Sequence, residues 1–420
     1  MYTSRFLESA AGGAEAVWLV GDVSYATGYL ASWDIFLHMV SPWARSTPLA
    51  VGVGNHEAGA PGGASAANHF SLFDTTDSGG ECGVVSTHLL PLPGAGTADA
   101  PWWAFSTGPF FLVTLSSEHA FGAGSAQLAW LEATLAGVDR AATPWLLLGV
   151  HRPMYIDSTY VSDGRTGKAG PDTGDQAVAA ALRAAVEPLT MRYKVSALFY
   201  GHNHAVQRLS PAYRNASVGG SAAALRADGN ATALFSRPRA SAHFVIGTGG
   251  ASFTKNCANC SAKAPLPPPP WSERVFYQYG AMRLTAVSAT LLQLDWVSNF
   301  GSVVDRVDIL QALELPWADE GGGGGGGGGA SAAAIASAVG GAAGALAFAA
   351  GAVWWMGGLA GARKALCGAV RYAPVNVNRG LGAEKRPTYG ATPAGFASRG
   401  DSAAGERELS TPLTSVRGHV

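Results

Sequence analysis

The chain has 420 residues, 48% of them hydrophobic and only 14% charged, with a formal net charge of -1. That length holds one large domain or two ordinary ones, and the near-neutral balance excludes the basic footprint of a nucleic-acid binder. Four cysteines, Cys82, Cys257, Cys260 and Cys367, are too few for a disulfide scaffold.

In chain order, the first residues, MYTSRFLESAAGGAEA, contain no apolar stretch of the kind a signal peptide needs. Four short apolar runs then end in polar clusters of one kind. AVWLV runs into Gly21, Asp22 and Tyr25; PLAVGV into Asn55, His56 and Glu57; TPWLLLGV into His151; and VSALFY into Gly201, His202 and His204. Runs of this length and composition read as buried strands. Ligand-binding loops belong at the carboxyl ends of such strands, so the four clusters are expected to meet on one rim of a sheet. If the segment after VSALFY is extended, its period of two puts His202 and His204 on one face. Between these runs, WDIFLHMV carries Trp33, Phe36, Leu37 and Val40 at helical spacing, and His38 reads as a packed or surface residue. His69, His88, His119 and His243 carry no motif. Residues 157–175 are polar and glycine-rich and read as a loop over the site. Cys257 and Cys260 form a CxxC with no second pair to complete a zinc site, and read as a local disulfide or two thiols.

The second part of the chain changes character. Residues 321–329 are all glycine, and residues 313–330 read as a flexible linker. No charge occurs between Glu320 and Arg363, and residues 331–361 are long enough for a transmembrane helix. Arg363, Lys364 and Arg371 follow it while Glu314, Asp319 and Glu320 precede it. The positive side stays cytosolic, so the part before the span is expected in a lumen or outside the cell. Residues 362–420 read as a disordered cytosolic tail. Three glycosylation sequons, at Asn215, Asn230 and Asn259, lie on the non-cytosolic side of that span.

The converging aspartate, tyrosine, asparagine and histidines offer oxygen and imidazole donors for hard or borderline cations. They are too many for one zinc, but two metals sharing a carboxylate would use them all. Two metals about 4 Å apart are the common device for phosphate-ester hydrolysis. In this order and spacing, GDVSYATGYLASWDIFLHMVSPWA, VGNHE, DSGGECGV, TPWLLLGVHRPMY, GHNH and VFYQYGAMRLTAVSATLLQLDWV resemble the plant-type purple acid phosphatases of the calcineurin-like metallophosphoesterase superfamily. The likeness runs over roughly residues 17–307, and Tyr25 is its distinguishing mark.

The resemblance implies an α/β metallophosphoesterase fold, a two-sheet β-sandwich flanked by helices, over residues 1–312, with a C-terminal part at about 240–312. It implies an acid phosphatase that hydrolyses phosphate monoesters at an Fe(III)–M(II) centre, M being Zn, Mn or Fe, with a metal-bound hydroxide as nucleophile. Asp22 is then the bridging carboxylate. Tyr25 and His204 belong to the ferric ion, and Asn55, His151 and His202 to the divalent one. His56 contacts the phosphate or assists the leaving group. Glu57, read from the residues themselves, either orients a ligand from behind or caps local amides. A homodimer is compatible with this reading. Two departures stand out. The family pattern opens with a strand ending in G-D-x-G whose Asp binds the ferric ion, whereas Asp22 is the first aspartate here. A chain truncated at its N-terminus, lacking that strand and an N-terminal β-sandwich domain, is the expected explanation. After GHNH the family's Tyr-Glu is replaced by Ala205-Val206-Gln207. The competing readings are a phosphodiesterase or nucleotide pyrophosphatase on the same core, and a non-catalytic membrane glycoprotein.

Overall fold

The computed structural model describes residues 2–10, 13–59, 78–94, 96–157, 175–253, 268–312 and 344–348. Among them lie β1 (Ala16–Leu19), β2 (Leu49–Val51), β3 (Trp103–Thr107), β4 (Phe110–Leu115), β5 (Trp145–Val150), β6 (Ala197–Tyr200), β7 (Val206–Leu209), β8 (Ala212–Tyr213) and β9 (Ala216–Ser217). They continue with β10 (Ala222–Leu225), β11 (Ala231–Ser236), β12 (Ala242–Ile246), β13 (Ser272–Phe276), β14 (Gly280–Ala286), β15 (Leu291–Ser298), β16 (Val303–Leu310) and β17 (Gly344–Phe348). One sheet has the order β10-β11-β16-β15-β14-β17-β1-β2, and a second has β13-β7-β12-β6-β5-β4-β3.

The sequence pattern explains the layers. Strands buried on both faces need apolar side chains at every position, sorted by the period of two. In β5, Trp145 and Leu147 enter the core between the sheets, while Leu146, Leu148 and Val150 enter the core on the outer face. In β1, Trp18 points between the sheets and Val17 and Leu19 point out. The inter-sheet core is built on aromatic rings. Trp18 lies 6.1 Å from Trp103 and 6.2 Å from Phe199, and Phe199 stacks on Phe244 at 5.5 Å. Each such buried ring contributes about 1.5–3 kcal/mol. Outside the second sheet, Leu131 and Leu135 of helix Ala126–Ala136 and Val178 and Leu182 of helix Asp175–Ala185 close the second core. Outside the first sheet, Trp33, Phe36 and Val40 of helix Leu30–Ala44 do the same, at the helical spacing read from the sequence. The two-sheet sandwich flanked by helices is therefore observed.

Two expectations need correction. The membrane helix expected over residues 331–361 is not what residues 344–348 form. β17 is a strand, parallel to β1 with Ala16 opposite Leu346, and antiparallel to β14 with Leu284 opposite Leu346. The reason is pairing: a strand between β1 and β14 satisfies backbone groups that both would otherwise present as open edges inside the sheet. A short apolar run with glycines has the same local pattern in either setting. Among the described residues no helix is long and apolar enough to cross a membrane. The rest of residues 331–361, the linker and the tail lie outside the described residues. The second correction concerns residues 201–204. His202 has a φ of 59°, in the left-handed region, so this segment is a bend and not an extended strand.

Candidate metal centre

Asp22 follows β1 and Asn55 follows β2 in the first sheet; His151 follows β5, and His202 and His204 follow β6, in the second. The candidate residues thus meet at the ends of two sheets, two strands from each, and not along the rim of one. Asp22, Tyr25 and His202 have φ of 52°, 50° and 59°. Each such position costs roughly 1–3 kcal/mol for a side chain other than glycine, and such strain clusters at functional sites. Gly21 has a φ of +83°, and a Cβ there would lie 2.6 Å from His151 Nδ1, so glycine is required both for the turn and for the close approach.

Glu57 holds the first loop. Its carboxylate is fully buried and accepts from the backbone N–H of Asp22 at 2.8 Å, Val23 at 2.7 Å and Gly54 at 3.0 Å. Burial and the nearby charge of Asp22 push its carboxyl up to about 7, against the pull of those amide bonds. Of the two roles open for Glu57, the contacts are those of a carboxylate capping local amides, here the amides of the Asp22 loop and Gly54.

All the predicted ligands meet. Asn55 Oδ1 lies 3.0 Å from His151 Nε2 and 3.0 Å from His202 Nδ1, and His151 Nε2 lies 3.1 Å from Asp22 Oδ2. On the other side of Asp22, the Tyr25 hydroxyl lies 3.0 Å from Asp22 Oδ2 and 2.9 Å from His204 Nε2. Asp22 joins the two halves. Burial alone would raise its carboxyl, but His151, His56 and His202 outweigh that and hold it well below the ordinary range. His56 lies with its ring over Tyr25, centroids 4.1 Å apart, and its backbone N–H donates to Asp22 Oδ1 at 3.1 Å.

The donor chemistry fits cations. His151 Nδ1 donates to Val20 O at 2.9 Å, which leaves Nε2 as an acceptor facing two oxygen acceptors, on Asp22 and Asn55. Acceptors aimed at one another are reconciled by a proton or a metal ion. His204 Nδ1 donates to Ser252 O at 2.7 Å, so its Nε2 competes with Asp22 Oδ2 for the single hydroxyl proton of Tyr25. Asp22, His151 and His202 alone could hold one ion, with donor atoms within 4.8 Å of one another.

The structure adds residues that the motifs did not mark as site residues. Arg152, Glu118 and Asp175 are buried behind His202. Arg152 Nε donates to Glu118 at 2.8 Å, Arg152 Nη1 reaches Asp175 at 3.3 Å, and Asp175 Oδ1 lies 2.9 Å from His202 Nε2. A carboxylate behind a ligating imidazole fixes its tautomer and raises its basicity. Burial would raise both carboxyls; His202 and Arg152 hold Asp175 below its ordinary range, and Arg152 does the same for Glu118. Arg152 stood beside His151 in the HRP motif. Asp175 had only a helix-start signal, because it opens Asp175–Ala185 where a loop was expected to end.

Among the described residues, the other histidines stay outside the site. His38 and His88 are exposed on helices, His119 is held by Ser116 Oγ at 2.8 Å and Ala98 O at 3.1 Å, and His243 is buried against Tyr200. His69, Asn259, Cys257, Cys260 and Cys367 lie outside the described residues. Gln207, at the second departure from the family pattern, is buried and accepts from Asp157 N at 2.9 Å. A separate open depression of about 360 Å³ is lined by Arg208, Arg274 and Asp305, whose charges pair with one another, and holds none of the ligands.

Fold and site together define a calcineurin-like phosphoesterase: residues 3–206 match that family, and residues 240–306 match the family described as iron/zinc purple acid phosphatase-like protein C. Relatives agree. The chain is 31% identical over 296 residues to an Arabidopsis thaliana protein named probable inactive purple acid phosphatase 1, covering 70% of this chain and 43% of that protein. It is 30% identical to a Hordeum vulgare protein named nucleotide pyrophosphatase/phosphodiesterase, covering 70% of this chain and 72% of that one. A purple acid phosphatase from yellow lupin seeds superposes with a TM-score of 0.60 at 26% identity, over 74% of this chain and 49% of the lupin chain. The chain belongs to the purple acid phosphatase family. It spans 43% of the length of that Arabidopsis protein and of a second one, named probable inactive purple acid phosphatase 27.

Proposed function

We propose that this chain is a metal-dependent hydrolase of phosphate monoesters. The observation that carries the reading is the ligand set itself: Asp22 stands between Tyr25 with His204 on one side and Asn55, His151 and His202 on the other. Tyr25, His204 and Asp22 would hold a ferric ion, since phenolate favours that state, and Asp22, Asn55, His151 and His202 would hold Zn, Mn or Fe(II). Such a pair supplies Lewis acidity toward the phosphoryl oxygens and acidifies water. The chain's own residues do the rest. Asp175 keeps the His202 proton on Nε2 and leaves Nδ1 for the site. Glu57 locks the Asp22 loop. His56, beside Asp22, binds a phosphoryl oxygen or delivers a proton to the leaving group.

The test is turnover of 4-nitrophenyl phosphate against its bis-ester, after loading with iron and zinc. Asn55→Ala or His202→Ala should lower kcat by at least about 100-fold with little change in melting temperature, because loss of even an outer partner costs about 10- to 100-fold. Activity above a few per cent would defeat the ligand assignment. The name of the barley relative favours a second reading, in which the bis-ester or a pyrophosphate is the better substrate. The names of two Arabidopsis relatives, each a probable inactive purple acid phosphatase, favour a non-catalytic chain, in which neither ester turns over. A lumenal or extracellular setting agrees with Cys82 being disulfide-bonded and with Asn215 and Asn230 being exposed on turns. A mobility shift on N-glycosidase treatment of the native protein would support it.

A further inference from the structure

Ser252, whose carbonyl accepts from His204 Nδ1 at 2.7 Å, is followed by Phe253. Phe253 stacks on Tyr279 with centroids 4.3 Å apart and planes 26° apart, and lies 5.9 Å from Tyr277. The large aromatic side chains of the two cores are almost all fully buried, but Tyr277 is 39% exposed and Phe253 and Tyr279 are only half-buried. Phe300, 80% exposed, stands on the next turn, where Asn299 N–H donates to Tyr279 O at 2.8 Å. The backbone beneath is held: Thr248 Oγ1 donates to Gln278 O at 2.8 Å and Gly280 N–H donates to Thr248 O at 3.3 Å. A rigid, partly open aromatic group therefore stands one residue from the contact that orients a candidate ligand. One residue step is about 3.8 Å, so Phe253 lies close along the chain to that contact.

We infer that Phe253, Tyr277 and Tyr279 form a stacking platform for a planar ring on the substrate's leaving group, and that the preferred esters are nucleoside or aryl phosphates over aliphatic ones. The inference rests on the hydrolase reading above and names its substrate class. Planar rings stack on such groups largely irrespective of their edges, and loss of one aromatic partner costs about 5- to 150-fold in binding.

The test compares kcat/KM for adenosine 5′-monophosphate with kcat/KM for glycerol 2-phosphate. In Phe253→Ala and, separately, in the more exposed Tyr277→Ala, the ratio of the two should fall at least about fivefold, and Phe253→Trp should restore it. A ratio unchanged in both alanine variants, or a loss shared equally by the two substrates, would overturn the platform. If the unaltered protein hydrolyses neither ester, the hydrolase reading fails, and equilibrium dialysis decides the platform alone. Adenosine 5′-monophosphate binding more tightly than inorganic phosphate, with the difference lost in Phe253→Ala, supports it; equal binding of the two overturns it.

Discussion

At the scale of single residues, strain and burial both converge on the candidate site. Asp22, Tyr25 and His202 stand in the left-handed region, and Gly21 just before them tolerates no Cβ beside His151. Gly21→Ala should therefore lower the metal content more than it lowers the melting temperature, because the clash falls on a ligand and not on the core. A second residue sets a pH dependence. Burial pushes the His243 imidazole down to about 3, from an ordinary 6.5, with the backbone of Ala212 pulling weakly the other way. The unfolded chain binds a proton at this residue below about 6.5 and the folded chain does not until about 3. Its contribution is thus full above pH 6.5 and is lost as pH falls, at up to about 1.4 kcal/mol per unit. His243→Gln should flatten the pH dependence of urea unfolding between pH 6 and 4; an unaltered slope would contradict this. The ligands were legible at this scale because each polar residue closes an apolar run. Asp175 was not, since its partner His202 is 27 residues away and only folding makes them neighbours.

At the scale of elements, β1, β5 and β6 could be read directly, because strands buried on both faces are continuous apolar runs. The sorting of two strand ends to each sheet could not be read, because pairing order is a long-range property. The GHNH segment shows a correct meeting reached by another route: the period-of-two argument needs an extended chain, whereas a left-handed turn at His202 sends the two rings into opposite halves of the site. β17 is the sharpest difference. Its Gly-Ala-Leu-Ala-Phe sequence lies inside a run apolar enough for a membrane, and only the open pairing positions of β1 and β14 make it a strand. Hydrogen exchange tests this. The amides of residues 345–347 should exchange as slowly as those of β14, and exchange at the rate of an open chain would contradict the pairing.

At the scale of the whole molecule, the sandwich acts as a rigid frame that brings loops from two sheets to one place. Trp18, Trp103, Phe199 and Phe244 fill the space between the sheets, on strands whose composition already indicated burial. The aromatic rim adds selectivity to that frame without touching the metals. The central claim is that Asp22 is shared by two metal sites. The most direct measurement is metal content per folded chain, by elemental analysis, for the unaltered protein and for Asp22→Ala, Tyr25→Phe and Asn55→Ala. The account predicts two ions in the unaltered protein, loss of both in Asp22→Ala, preferential loss of iron in Tyr25→Phe and of the divalent ion in Asn55→Ala. Fewer than two ions in the unaltered protein, or an Asp22→Ala chain that keeps both, would contradict it.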